Sequence, residues 1–179
     1  MTLISDVQLA CSRLAQHGWH SLLLQHGLDI TALDLQQELS KPLHIDRTIK
    51  GFEDYSHSGV RGIEAGKPAE SLLYHAFASP NVITTAQGTQ LTAFPSALEI
   101  EQLLNFVYGV NPPSLETLRV YAGTAPLAIV VFAYEYRPRP ETVHQCQADL
   151  CFSRTGVARV GTAPVLYDAA RRGFLPFVD

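Results

Sequence analysis

Apolar residues near the N-terminus recur every three to four positions. Val7, Ala10, Cys11 and Leu14 share one face of a helix. Ser5, with Gln8 three residues later, has the pattern of a capping box and predicts that this helix begins there. Gly18 is one place for it to end; Gly27, beyond the Leu22-Leu23-Leu24 run, is the other. Thr31 and Asp34 predict a second start, and Pro42 closes that segment. Residues 44–66 show little periodicity and read as a long loop. Pro68 suits a first helical turn, where its missing N–H is not needed. Leu72, Leu73 and Ala76 give that helix an apolar side, and Ser79-Pro80 stops it. The clearest helix follows. Ser96 and Glu99 form a second capping box, Ile100, Leu103, Leu104, Val107 and Tyr108 form a continuous stripe, and Gly109 closes it. Asn111-Pro112-Pro113 reads as a linker.

Beyond the linker the period changes. Leu118-Arg119-Val120-Tyr121 reads as a short strand. Leu127 to Tyr136 is apolar on both faces, as a covered strand would be: Ile129, Val131 and Ala133 on one side, Val130, Phe132 and Tyr134 on the other. Asp149–Ser153 and Val157–Val160 read as further strands, joined by a turn at Thr155-Gly156. The expected fold is α+β: a helical domain over residues 1–113, then a short antiparallel β-rich unit over 114–179. So small a β unit buries little by itself. Its two-sided apolar strand therefore predicts a homo-oligomer or an additional C-terminal domain, because soluble monomers rarely leave such a patch in water.

Composition narrows the class. Of 179 residues, 46% are hydrophobic and 17% charged, enough for a core and unlike a disordered chain. No basic segment followed by an apolar run opens the sequence, and no apolar stretch approaches the ~20 residues of a membrane span. A cytoplasmic protein without membrane contact is the expectation. Charge is uneven: residues 1–117 hold six Lys/Arg and twelve Asp/Glu, whereas 118–179 hold seven Arg and five acids. Two regions that attract each other within the fold account for this more simply than an anion site does. With a pI near 5.9 and no basic stripe, nucleic acid is not an expected partner. The three cysteines, Cys11, Cys146 and Cys151, leave one unpaired in any disulfide scheme, and reduced thiols are expected.

Familiar catalytic and phosphate-binding motifs are absent: no G-x-S-x-G, no G-x-x-x-x-G-K-[ST], no G-x-G-x-x-G and no H-E-x-x-H. His144, Cys146 and Cys151 form the best metal constellation, but a zinc site needs a fourth ligand and none is evident; no metal is expected. His17 and His20 would share a helix face, with His26 two turns on, yet no carboxylate is placed with them. His57, Tyr74 and His75 are the remaining candidates: a histidine as general base and Tyr74 as proton donor. Nothing in the sequence brings them together, and a structural role is the commoner one for such His and Tyr residues.

Residues 63–74, Ile-Glu-Ala-Gly-Lys-Pro-Ala-Glu-Ser-Leu-Leu-Tyr, follow Gly59-Val60-Arg61 and precede Phe94-Pro95 and Glu99-Ile100-Glu101-Gln102-Leu103-Leu104-Asn105-Phe106-Val107. In order and spacing, residues 52–108 resemble a group of bacterial cytochrome c-type domains, with I-x-P-G-x-P-x-x-S-x-L-Y, a Met-Pro loop and a closing E-I-x-x-L helix. The resemblance implies a helical shell. It does not extend to the cofactor: there is no C-x-x-C-H, Phe94 stands at the axial methionine's place, and Met1 is the sole methionine. Covalent haem is excluded on chemical grounds. A shorter stretch, Thr155-Gly-Val-Ala-Arg-Val-Gly-Thr-Ala-Pro164, resembles a segment of quinoprotein amino-acid oxidases of the lysine ε-oxidase type and implies no catalytic residue here.

Together these features favour a non-catalytic binding or assembly module, one form of which is the N-terminal part of a larger oxidoreductase, with no cofactor. The alternatives are a small enzyme using His57, Tyr74 and His75 in a loop-helix cleft, and a non-covalent haem binder using His57 or His75.

Overall fold

The structure is a computed structural model and describes residues 2–125, 133–138, 148–153 and 167–174. The first helix, α1, spans Leu3–Leu14 and buries Val7, Ala10, Cys11 and Leu14. It starts earlier than Ser5. Thr2 is the N-cap: its Oγ1 accepts from Ser5 N and shares a 2.6 Å contact with the Ser5 hydroxyl, so Ser5 lies in the first turn. Both predicted stops are used. Gly18, at φ 95°, breaks the helix within a loosened turn over Ala15–Trp19, and α2 (His20–Leu24) runs on to a left-handed Gly27. A side chain at Gly18 would also press on Leu91, 2.9 Å away.

Helix α3 (Leu35–Ser40) is capped by Asp34, whose carboxylate accepts from Gln37 N at 2.9 Å. Thr31 is not a second cap; its N–H and hydroxyl both donate to Asp29. The segment between Lys41 and Lys67 is the long loop that the weak periodicity predicts. It is pinned by backbone bonds, Leu43 N to Val60 O at 2.8 Å and Ile63 N to Leu39 O at 2.9 Å. A 3₁₀ turn at Pro68–Glu70 leads into α4 (Leu72–Ala78), in which every residue is buried.

Helix α5 (Ala97–Tyr108) has the predicted capping box at Ser96 and Glu99 and ends at a left-handed Gly109. Leu103, Leu104 and Val107 face the core. It packs against α1, where Glu99 accepts a two-pronged bond from Arg13 at 2.6 and 2.7 Å while also holding Ser96 N. Trp19 is buried behind this pair, its Nε1 donating to Ala93 O at 2.8 Å. Cys11 is a free, buried thiol; burial first, and the Glu99 charge second, push its pKa up to about 12.

The predicted strand at Leu118–Tyr121 is instead helical. Helix α6 spans Leu115–Ala122, capped by Ser114, whose Oγ accepts from Thr117 N at 3.1 Å, and terminated at Gly123. Four alternating residues cannot be told from one helical turn, and the cap and the glycine decide between them. Strand pairs occur only beyond it. β1 (Ala133–Pro138) pairs antiparallel with β2 (Ala148–Ser153), Glu135 opposite Cys151 and Arg137 opposite Asp149. β3 (Tyr167–Asp168) and β4 (Gly173–Phe174) form a second, minimal ladder. The chain is thus helical through residue 122, with antiparallel pairs after it. The predicted strands overlap β1 and β2; residues 127–132 and the strand at 157–160 lie outside the described residues.

Candidate functional site

The loop and α4 together enclose a polar cluster. The segment that opens α4 owes its form to three residues: Gly66 takes φ 72°, Pro68 begins the 3₁₀ turn, and Ser71 Oγ accepts from Glu64 N at 2.9 Å while donating to Lys67 O at 2.8 Å. This knot aims α4 so that His75, fully buried, faces the loop. His75 Nε2 donates to Gly51 O at 2.7 Å. Gly51 sits at φ 94°, and a Cβ there would meet Asn81 O at 2.8 Å, so loop and backbone touch with no room for a side chain.

Aromatic rings seal the histidine. Phe52 lies 5.3 Å from the His75 ring and 4.3 Å from His26; Tyr55 lies 5.1 Å from His75. Tyr55 donates to Glu70 O at 2.5 Å, and burial pushes its pKa up. Arg47 stands over the Tyr55 ring at 5.3 Å and donates to Ser56 O and Gly59 O at 2.6 and 3.0 Å. His26 accepts from Asp46 N through Nδ1 at 3.2 Å, while its Nε2 is buried with no hydrogen-bond partner among the described residues.

Electrostatics follow burial. Desolvation lowers both His26 and His75 to about 4, so both are neutral imidazoles at physiological pH. Asp54 is shifted upward, chiefly by desolvation; its Oδ1 lies 3.7 Å from His75 Nε2 and its Oδ2 accepts from Asn81 at 3.3 Å. That 3.7 Å separation is too long for a hydrogen bond, and Gly51 O holds the imidazole proton. So weak a base, cut off from solvent, ties loop to helix. Ligating a haem iron through His75 Nε2 would break the bond to Gly51.

Of the sequence candidates, Tyr74 and His75 are buried side by side in α4, and His57 is exposed on the loop. His17 and His20 do not present a common face, because Gly18 bends the chain between them. His17 Nδ1 meets Thr92 Oγ1 at 2.9 Å, and His20 pairs with Asp29 at 3.1 Å, the carboxylate partner that sequence reasoning missed. His144 and Cys146 lie outside the described residues, and Cys151 is on β2. Among the described residues, no three His, Cys, Asp or Glu gather in a way that could hold a metal ion, and no helix is long and apolar enough to cross a membrane. Sequence reasoning also missed the His26–Phe52–His75 stack and Asp54. Their one visible signal is the Phe52–Tyr55 aromatic pair flanking two acids, Glu53 and Asp54, in the loop. Comparison with family models, curated proteins and solved structures returns no match.

Proposed function

We propose that this chain is a non-catalytic assembly module that pairs with a second copy of itself through α6. The observation that carries this reading is the exposure of α6: no residue of the helix is buried, and Leu115, Leu118, Val120 and Tyr121 are 45%, 38%, 74% and 81% exposed. Leu115, Leu118, Tyr121 and Ala122 fall on one face, an amphipathic stripe that stays partly open to solvent. Helices shorter than ~12–15 residues are marginal in water on propensity alone, and most draw their stability from packing such a face. Tyr108 and Val110, at the end of α5, are also exposed.

A second copy suits the stripe because an isologous contact needs one self-complementary patch, and two copies of an apolar stripe laid antiparallel about a two-fold axis cover each other. Arg119 borders the stripe, whereas Glu116 lies on the far side of the helix, so no acid of α6 opposes the apolar face. The alternative enzyme would need His57, exposed on the loop, to act with Tyr74 and His75, which are buried in α4, and His75 is already bonded to Gly51 O. The cytochrome c-like resemblance adds to the picture only as a helical shell, since Gly66, Pro68 and Ser71 have structural work in starting α4.

Light scattering on the full chain at micromolar concentration tests the reading. The wild type is expected to be dimeric and the double variant Leu118→Asp/Tyr121→Asp monomeric, with circular dichroism showing the helical unit intact. A wild type that is monomeric throughout that range contradicts it.

A further inference from the structure

Beyond the histidine cluster, one arginine occupies a compartment built mainly by parts of the chain remote from it in sequence. Arg172 lies at the turn between β3 and β4 and is 5% exposed. Its guanidinium makes three bonds to carbonyls: Nε to Phe77 O at 3.3 Å, Nη2 to Val82 O at 2.5 Å and Nη1 to Ala170 O at 2.6 Å. It stands over the Phe94 ring at 4.3 Å and the Trp19 ring at 5.6 Å. Those rings meet edge-on at 90°, forming a corner, and Phe77 backs Trp19 at 5.2 Å. Among the described residues no carboxylate pairs with this cation; Asp168 instead accepts from Ala170 N and Arg171 N within the turn.

The walls and the plug come from different places. Trp19, Phe77, Val82 and Phe94 belong to the helical unit, and Phe77 O is one of the carbonyls left open at the end of α4. The hairpin supplies the guanidinium, and Tyr167 adds a 3.5 Å bond to Pro95 O of the helical unit. Arg172 itself is held at φ 50°, a conformation side chains rarely adopt. Two carbonyls at the edge of a planar cation and aromatic rings across its face select a guanidinium. An ammonium, compact and strongly hydrated, cannot bond both carbonyls and stack at once.

We infer that the corner of Trp19 and Phe94, with the carbonyls of Phe77 and Val82, is an arginine-recognition site, plugged in cis by Arg172, that accepts an arginine-bearing turn of a partner protein when the hairpin withdraws. The site shares no residue with α6, so it stands or falls apart from the dimer reading.

Trp19 is the sole tryptophan and reports on the corner directly. Full-length Arg172→Ala is titrated with methylguanidinium and with the peptide Tyr-Asp-Ala-Ala-Arg-Arg-Gly-Phe, the sequence of residues 167–174, while Trp19 fluorescence is followed. Saturable changes are expected from both. The same peptide with alanine for its second arginine should bind roughly tenfold or more weakly, as should the parent peptide to Arg172→Ala/Phe94→Leu, because each loses the cation–ring contact. Wild type should bind the peptide more weakly than Arg172→Ala, since its own plug competes. If Arg172→Ala is unfolded by circular dichroism, methylguanidinium should restore its fold and methylammonium at the same concentration should not. No saturable response in a folded variant, no rescue of an unfolded one, or equal binding by wild type and variant overturns the inference.

Discussion

Helices α4 and α6 are nearly equal in length and opposite in everything that stabilises them. α4 has no side-chain cap and no acid in its first turn, yet all seven of its residues are buried. α6 has a Ser114 cap, Glu116 in its first turn, Arg119 in its last and Gly123 at its end, and buries none of its eight. Local signals set where α6 begins and ends, and packing alone holds α4. A helix written with every local signal and no burial is where the proposed pairing would add stability. A helix with burial and few local signals is the floor of a core.

Truncation of α4 should have the largest effect. Phe77 is fully buried and packs edge-on against Trp19 at 5.2 Å. Phe77→Ala should cost about 3–5 kcal/mol, and Leu103→Ala on α5 about 2–5 kcal/mol, read as lowered denaturant midpoints. Val120→Ala on α6 should move the midpoint by less than about 0.5 kcal/mol. An α6 substitution as costly as Phe77→Ala would dissolve the contrast between the helices.

Acid should come next. His26 and His75 have folded pKa values near 4, below the 6.5 of the unfolded chain, so the unfolded state binds more protons between those limits. Stability is complete above about pH 6.5 and declines as pH falls toward 4, by roughly 2–3 kcal/mol per histidine. Asp54, shifted the other way, takes up its proton earlier in the fold and offsets part of the loss at the acid end. His26→Gln should remove about half the slope in urea melts from pH 7 to 4.5. An unchanged slope would mean that His26 is not buried neutral.

The capping residues should give smaller effects than core truncation or acid. Ser96→Ala breaks the reciprocal bonds with Glu99 on a helix that packs in the core, and should lower global stability by about 1 kcal/mol. Ser114→Ala should fray α6 by a similar local amount, visible as faster amide exchange in residues 115–118, and leave the global midpoint of the monomer alone.

The caps of α5 were legible in residue types, and Leu103, Leu104 and Val107 of its stripe face the core, but Tyr108, which extends the same stripe in sequence, is exposed. Thr2 was harder to see, since Ser5 offers an equally good cap pattern one turn later. α6 was misread because Leu118-Arg119-Val120-Tyr121 alternates like a strand, while Ser114 and Gly123 mark a helix that the alternation obscures. The site was less legible for a single physical reason: its key acceptors are backbone carbonyls. Gly51 O, which holds His75, lies 24 residues away in sequence, and the Phe77 and Val82 carbonyls that hold Arg172 lie 95 and 90 residues away. A carbonyl has no residue-type signature. His20 and Asp29 were separable only once Gly18 and Gly27 had turned the chain.

Hydrogen exchange followed at increasing protein concentration tests the contrast between the two helices most directly. The account predicts that amides of α4 are strongly protected and insensitive to concentration. Amides of α6 should be weakly protected at high dilution and gain protection as the chain becomes more concentrated, with Leu118→Asp/Tyr121→Asp abolishing that gain. Exchange from α6 that stays fast at every concentration, or that is already slow at the highest dilution, would contradict it.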